Sequence, residues 1–156
     1  MKSKRCAHPR GEIWTPLADS GAYQLVIGLR RTKKIRVGAL RAFEFPAGAY
    51  VYTGRASRNL RSRVGRHLRC EKTLRWHIDY LLRWAVIEEV RVFPGRADEE
   101  CSINLETARC NGYAFLVPGF GSSDCGCPAH LLWTGHDRQG KPRSAEEEKF
   151  RQESRI

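Results

Sequence analysis

No run in this 156-residue chain comes near the roughly 20 apolar residues that a membrane-spanning helix requires. The basic start, Met1 to Arg10, is not followed by the apolar segment of a secretory signal, so the expected location is the cytoplasm. Acidic residues are the other shortage: 17 Asp and Glu stand against 28 Lys and Arg, leaving a net charge of +11. That imbalance disfavours cationic partners and points to polyanions. Disorder is also excluded, because 41% hydrophobic and 10% aromatic residues supply an ordinary globular core. Six cysteines are present (Cys6, Cys70, Cys101, Cys110, Cys125 and Cys127), and without a secretory signal they are expected as free thiols or metal ligands rather than a disulfide framework.

Arg supplies most of the basic excess, and its planar fork of donors matches phosphate oxygens. The plainer alternative is a basic protein whose charge only keeps it dispersed. The charge is concentrated around one motif rather than spread evenly, which favours nucleic-acid binding.

The length suits one domain, expected over 14–135, between a basic irregular segment at 1–13 and a polar tail at 136–156. Ala22 to Leu29 places Tyr23, Leu25, Ile27 and Leu29 on one side of a half-buried strand. A basic turn leads to Ile35–Leu40 and Phe43–Phe45, and then to Tyr50-Val51-Tyr52-Thr53, together an antiparallel sheet. From Ser57 the period changes: Leu60, Val64 and Leu68 recur every fourth residue, which predicts a basic amphipathic helix. A second helix is expected over Thr73–Trp84, with Trp76 and Trp84 in the core, and a strand over Val86–Phe93. A third helix starts at an Asp98 cap and turns Cys101, Leu105 and Ala108 inward. A short apolar run follows at Ala129–Trp133, and Ser144 with Glu146 to Glu148 could open a terminal helix.

Gly54 follows a tyrosine strand and precedes the basic helix, so a backbone turn, a phenol and several guanidinium groups are expected at one sheet edge. Gly21-Ala22-Tyr23, Tyr52-Thr53-Gly54, Arg55-Ala56, Asn59-Leu60 and Arg63, in that order, resemble the GIY-YIG nuclease superfamily. The resemblance is closer to an uncharacterised branch of it, the domain of unknown function numbered 123, sometimes fused to endonuclease III-like proteins. It runs from about Gly21 to Trp133 and includes Trp76-His77-Ile78-Asp79-Tyr80, Glu100-Cys101 and the string from Pro118 to Cys127.

The resemblance implies an α+β fold, a small central antiparallel sheet flanked by helices, with an extra hairpin between the motif strands and a C-terminal extension. It implies metal-dependent hydrolysis of phosphodiester bonds in DNA. Tyr23 would act as general base or water-positioning phenol, with Tyr52 beside it. Arg63 would hold charge developing on phosphorus, and His67, one turn on, would move a proton. Glu100 would be the ligand of Mg²⁺ or Mn²⁺, ions that keep several waters and take other ligands from the phosphate. Gly54, Arg55, Arg58, Arg61, Arg66 and Arg69 would meet the nucleic acid.

Each assignment has a structural rival. The tyrosines could simply pack the sheet, the Arg-rich face could be only solvated, and Glu100 competes with Glu99 as a helix-start carboxylate. Tyr50, in a second Gly-Ala-Tyr, faces the same side as Tyr52 and rivals Tyr23, which its place in the first strand favours. His77 and Asp79 face different sides of their helix, which argues against a joint role. Cys125-x-Cys127-x-x-His130, with Cys101 and Asp124 as further donors, has the chemistry of a zinc site. The Cys-x-Cys spacing is tight for one, so a metal-free loop is the preferred reading and zinc the alternative. The rival to a nuclease is a non-catalytic nucleic-acid-binding module of the same fold, and a zinc-stabilised interaction domain is a third reading.

Overall fold

The computed structural model describes residues 19–135. The basic start, the polar tail and the helix expected from Ser144 lie outside the described residues. A strand without a single charge, Gly21–Leu29 (β1), forms the spine of the fold. It pairs antiparallel with Gly48–Ala56 (β4) on one side and Val86–Pro94 (β5) on the other. Leu131–Trp133 (β6) adds to the far edge of β4, giving the order β5-β1-β4-β6. Lys33–Arg36 (β2) and Ala42–Phe45 (β3) form a separate two-stranded hairpin between β1 and β4, the expected insertion. Among the described residues, three α-helices complete an α+β fold: Leu60–Leu68 (α1), His77–Leu82 (α2) and Glu100–Asn111 (α3).

Both faces of the sheet are covered, and the alternation of β1 decides what covers each. Tyr23, Leu25, Ile27 and Leu29 pack with Leu60 and Val64 of α1, Ile78 and Leu81 of α2, and Ile35 and Phe45 of the hairpin. Val26 points the other way, with Val51, Leu132 and Ala108 of α3. Each fully buried aliphatic side chain contributes about 1.5–3 kcal/mol, and Leu60 and Val64 are the apolar anchors of α1. The α3 side also carries polar links: Gln24 donates to Thr53 and Thr107, and Asn104 donates 2.8 Å to the Ala129 carbonyl.

Several details differ from the sequence expectation. The third buried position of α1 is His67 rather than Leu68, because one turn beyond Arg63 the helix meets the tyrosines of β1 and β4. Helix α2 begins at His77, not Thr73, since the Asp79 carboxylate captures the backbone N–H groups of Arg75 and Trp76 and fixes the start there. Asp98 makes no cap; it lies in a 3-10 turn, Ala97–Glu99, ahead of α3. Trp84 is 48% exposed and Leu105 44% exposed, both against expectation. The Lys33 ammonium covers the Trp84 ring at 3.8 Å, which tolerates an aromatic at the surface. In α3 the hydrogen bonds of Asn104 and Thr107 turn those polar residues inward and rotate Leu105 out. Among the described residues no helix is long and apolar enough to cross a membrane.

Candidate active site

A cleft of about 320 Å³ opens where the ends of β1 and β4 meet α1, the start of α2 and the start of α3. Tyr23, Tyr52, Gly54, Arg55, Arg63 and Glu100 all line it, although they span 77 positions of sequence (100 − 23). Register brings the first three together: Tyr23 lies directly opposite Gly54, and Tyr52 opposite Leu25 on the same face. Gly54 is therefore inside a strand rather than in the expected turn. Its lack of a side chain is what the site requires, because a Cβ there would sit 2.6 Å from the Tyr23 ring and hydroxyl. The Tyr23 ring occupies that space.

Behind Tyr23 stands His67, 2% exposed, with its Nε2 2.7 Å from the phenol oxygen. Burial pushes the Tyr23 phenol well above its ordinary value, with Tyr52 adding to the rise, and burial likewise raises Tyr52, with Glu100 adding. Burial also pushes the His67 imidazole down to about 3, reinforced by Lys72. Both partners are thus neutral at physiological pH. His67 therefore lies beneath the cleft rather than lining it, and its place is to hold the phenol. In either tautomer of His67, Tyr23 keeps a lone pair to accept from a water in the cleft. Tyr50 is not a rival, because it is fully buried and donates to the Pro46 carbonyl.

Arg63 is held from two sides. Its Nη1 donates 3.0 Å to the Arg55 carbonyl, and its guanidinium lies 5.0 Å from the centroid of the Trp76 ring. Arg55 lies between two carboxylates, 3.4 Å from Glu100 Oε2 and 3.7 Å from Asp124 Oδ2. With the Arg55 side chain 48% exposed, such pairs contribute at most about 1 kcal/mol, so it is readily drawn to a phosphate. Glu100 is partly open to the cleft, and its Oε1 is 3.2 Å from His130 Nδ1. The remaining arginines divide. Arg58, Arg61 and Arg69 are exposed on or beside α1 and do not line the cleft. Arg66 is committed elsewhere: it grips Asp79 through two bonds of 3.0 and 2.9 Å and donates to the Thr73 carbonyl.

His77 was discounted for want of a shared face with Asp79, yet it lines the cleft without Asp79. The backbone N–H of Gly121 donates 2.9 Å to its Nδ1, and the ring is also hydrogen-bonded to the Gly119 backbone, so the imidazole is fixed in the cleft wall. Burial lowers its pKa, favouring the neutral ring. Gly121 takes φ +70°, and a Cβ there would be 3.0 Å from the Tyr52 ring, so only glycine fits. Ser123 and Asp124 complete the wall. Their signal lay in the strings Trp76-His77 and Gly121 to Asp124, whose spacing from the motif strands says nothing of distance in space.

Cys101, Cys125, Cys127 and His130 also come together, one ligand atom from each lying within 4.8 Å of every other. Asp124 is not among them; it faces Arg55. Cys110 is exposed, and it is a free thiol like the three cysteines of the cluster, as expected.

The fold and cleft define an α+β domain with a tyrosine, arginine and carboxylate pocket at one end of its sheet. The chain matches the family described as domain of unknown function DUF123 over residues 22–152, and it belongs to that family. No curated protein and no solved structure matches it.

Proposed function

We propose that the protein is a metal-dependent endonuclease that hydrolyses phosphodiester bonds in DNA, working in the cytoplasm. The observation that carries this reading is the convergence of Tyr23, Tyr52, Arg63 and Glu100 on one cleft. The resemblance of the same motifs to GIY-YIG nucleases supports it. The cleft combines a neutral phenol for water, a fixed guanidinium for phosphate charge and a single carboxylate.

Tyr23, braced by His67, accepts a hydrogen bond from the attacking water and aims it at phosphorus. Arg63, fixed by the Arg55 carbonyl and Trp76, takes up the charge that develops on the phosphoryl oxygens. His77, held by the Gly121 and Gly119 backbone, shapes the cleft wall, and Arg55 leaves its loose pairs for the strand. Glu100 fits Mg²⁺ or Mn²⁺, being a hard oxygen donor beside a phosphate-sized space, with the remaining ligands left to water and substrate. Bound there, the ion would acidify a water and neutralise phosphate charge.

The test is cleavage of labelled single-stranded, duplex and branched DNAs and RNAs with Mg²⁺, Mn²⁺ or EDTA. Cutting that needs the ion, disappears in Glu100→Ala and falls about 10²–10³-fold in Arg63→Ala is the expected result. Binding with no cutting under any condition overturns it and leaves a binding module, in which Tyr23, Tyr52 and Arg63 are phosphate contacts only.

A further inference from the structure

We propose that Cys101, Cys125, Cys127 and His130 form a closed tetrahedral Zn²⁺ site, separate from the ion expected at Glu100, that ties the first turn of α3 to the loop forming one wall of the cleft. A zinc tetrahedron with Zn–S of about 2.3 Å and Zn–N of about 2.05 Å places two sulfurs roughly 3.8 Å apart and a sulfur and nitrogen roughly 3.6 Å apart. His130 Nε2 lies 3.4 Å from Cys125 Sγ and 3.8 Å from Cys101 Sγ, and all four ligand atoms are within 4.8 Å of one another. The two His130 edges thus already match the ion, and the remaining donors stand close enough to reach it with small side-chain adjustments. Three thiolates and one imidazole suit zinc and disfavour Mg²⁺ or Mn²⁺.

The spacing that argued against zinc is resolved by the third dimension. Cys125 and Cys127 flank exposed Gly126, where a Cβ would meet nothing, so the short connection is free to turn both sulfurs to one point. The other two ligands come from α3 and from the residue before β6. His130 is also tied by its backbone, since its N–H donates 2.7 Å to Phe120 and its carbonyl accepts 3.0 Å from Thr53. Its outer nitrogen has a suitable neighbour: Glu100 Oε1 lies 3.2 Å from Nδ1, though not aligned as a full hydrogen bond. A carboxylate there is the usual way to fix the tautomer of a zinc-bound imidazole. Four protein ligands leave no open position, so the role is structural, and its consequence is to hold Glu100, Gly121 and Asp124 against the cleft.

The experiment is elemental analysis of purified full-length protein, with no substrate present, so its outcome is independent of the nuclease reading. One zinc per chain is expected in the wild type and in Cys110→Ser, with loss in Cys101→Ser and Cys125→Ser. Glu100→Gln is expected to keep zinc but to bind it about 10- to 100-fold more weakly in a chelator competition. Because the cysteine variants could fail to fold, wild-type protein produced in zinc-depleted, cobalt-supplemented medium gives a second reading. Intense tetrahedral cobalt bands with thiolate charge transfer, lost on adding zinc, are expected. Wild-type protein without zinc and without those cobalt bands overturns the proposal, as does zinc content unchanged in soluble Cys125→Ser.

Discussion

Tyr23 and His67 show how burial sets the chemistry of single residues. Neither is charged, because the site that brings them within 2.7 Å also removes the water that would solvate an ion. A histidine whose imidazole is pushed down on folding binds its proton more readily in the unfolded chain. Stability from His67 is therefore fully present above about pH 6.5 and is lost as pH falls from there toward about 3. Thermal melts between pH 7 and 4 should show Tm falling with acid, with a shallower fall in His67→Gln. An equal slope in the variant would assign the acid sensitivity to other groups. Gly54 belongs to the same piece of chemistry, since its missing side chain is the space that the Tyr23 ring fills.

At the scale of elements, Asp79 joins two helices. Its buried carboxylate caps α2 through two backbone N–H groups and grips Arg66 of α1, whose guanidinium also lies 4.2 Å from the Trp76 ring centroid. Burial alone would raise this carboxyl; Arg66 and the two N–H groups more than offset it and hold it below the usual range. Removing the carboxylate leaves Arg66 without its partner and the start of α2 uncapped. Asp79→Ala should cost roughly 3 kcal/mol in urea unfolding. It should also weaken activity, because Trp76, the α2 cap, is the ring beneath Arg63. A loss below about 0.5 kcal/mol would mean the pair is ornamental.

For the whole molecule, the net charge of +11 acts at two ranges. Arg55 and Arg63 act within the cleft, while Arg58, Arg61 and Arg69 stand exposed on and beside α1. Under the proposed function, the outer arginines would follow a phosphate backbone beyond the cleft. The logarithm of DNA affinity should fall linearly with the logarithm of salt concentration, and the Arg58→Ala, Arg61→Ala double variant should reduce that slope by about 2. Affinity that ignores salt would remove nucleic acid as the partner.

Strands and helices were legible in the amino-acid order wherever one period was strong. Alternation in Ala22–Leu29 and Val86–Phe93 and the fourfold spacing of Leu60 and Val64 mark strand and helix locally, but the expectation that Ala22–Leu29 is half-buried failed, because α3 covers its second face. The amino-acid order also named Tyr23, Tyr52, Arg63 and Glu100, through the order of short motifs. What those motifs meet depends on how the elements pack. Strand register set Tyr23 on Gly54, packing moved His67 under the phenol, Asp79 drew Arg66 away from the cleft, and His77 entered it from α2. The four zinc-type donors were named from the sequence, but the tight Cys-x-Cys spacing ranked them below a metal-free loop, and only the fold brings Cys101 of α3 to the other three. Periodicity describes one element against water, whereas contacts between elements depend on distances that no spacing along the chain encodes.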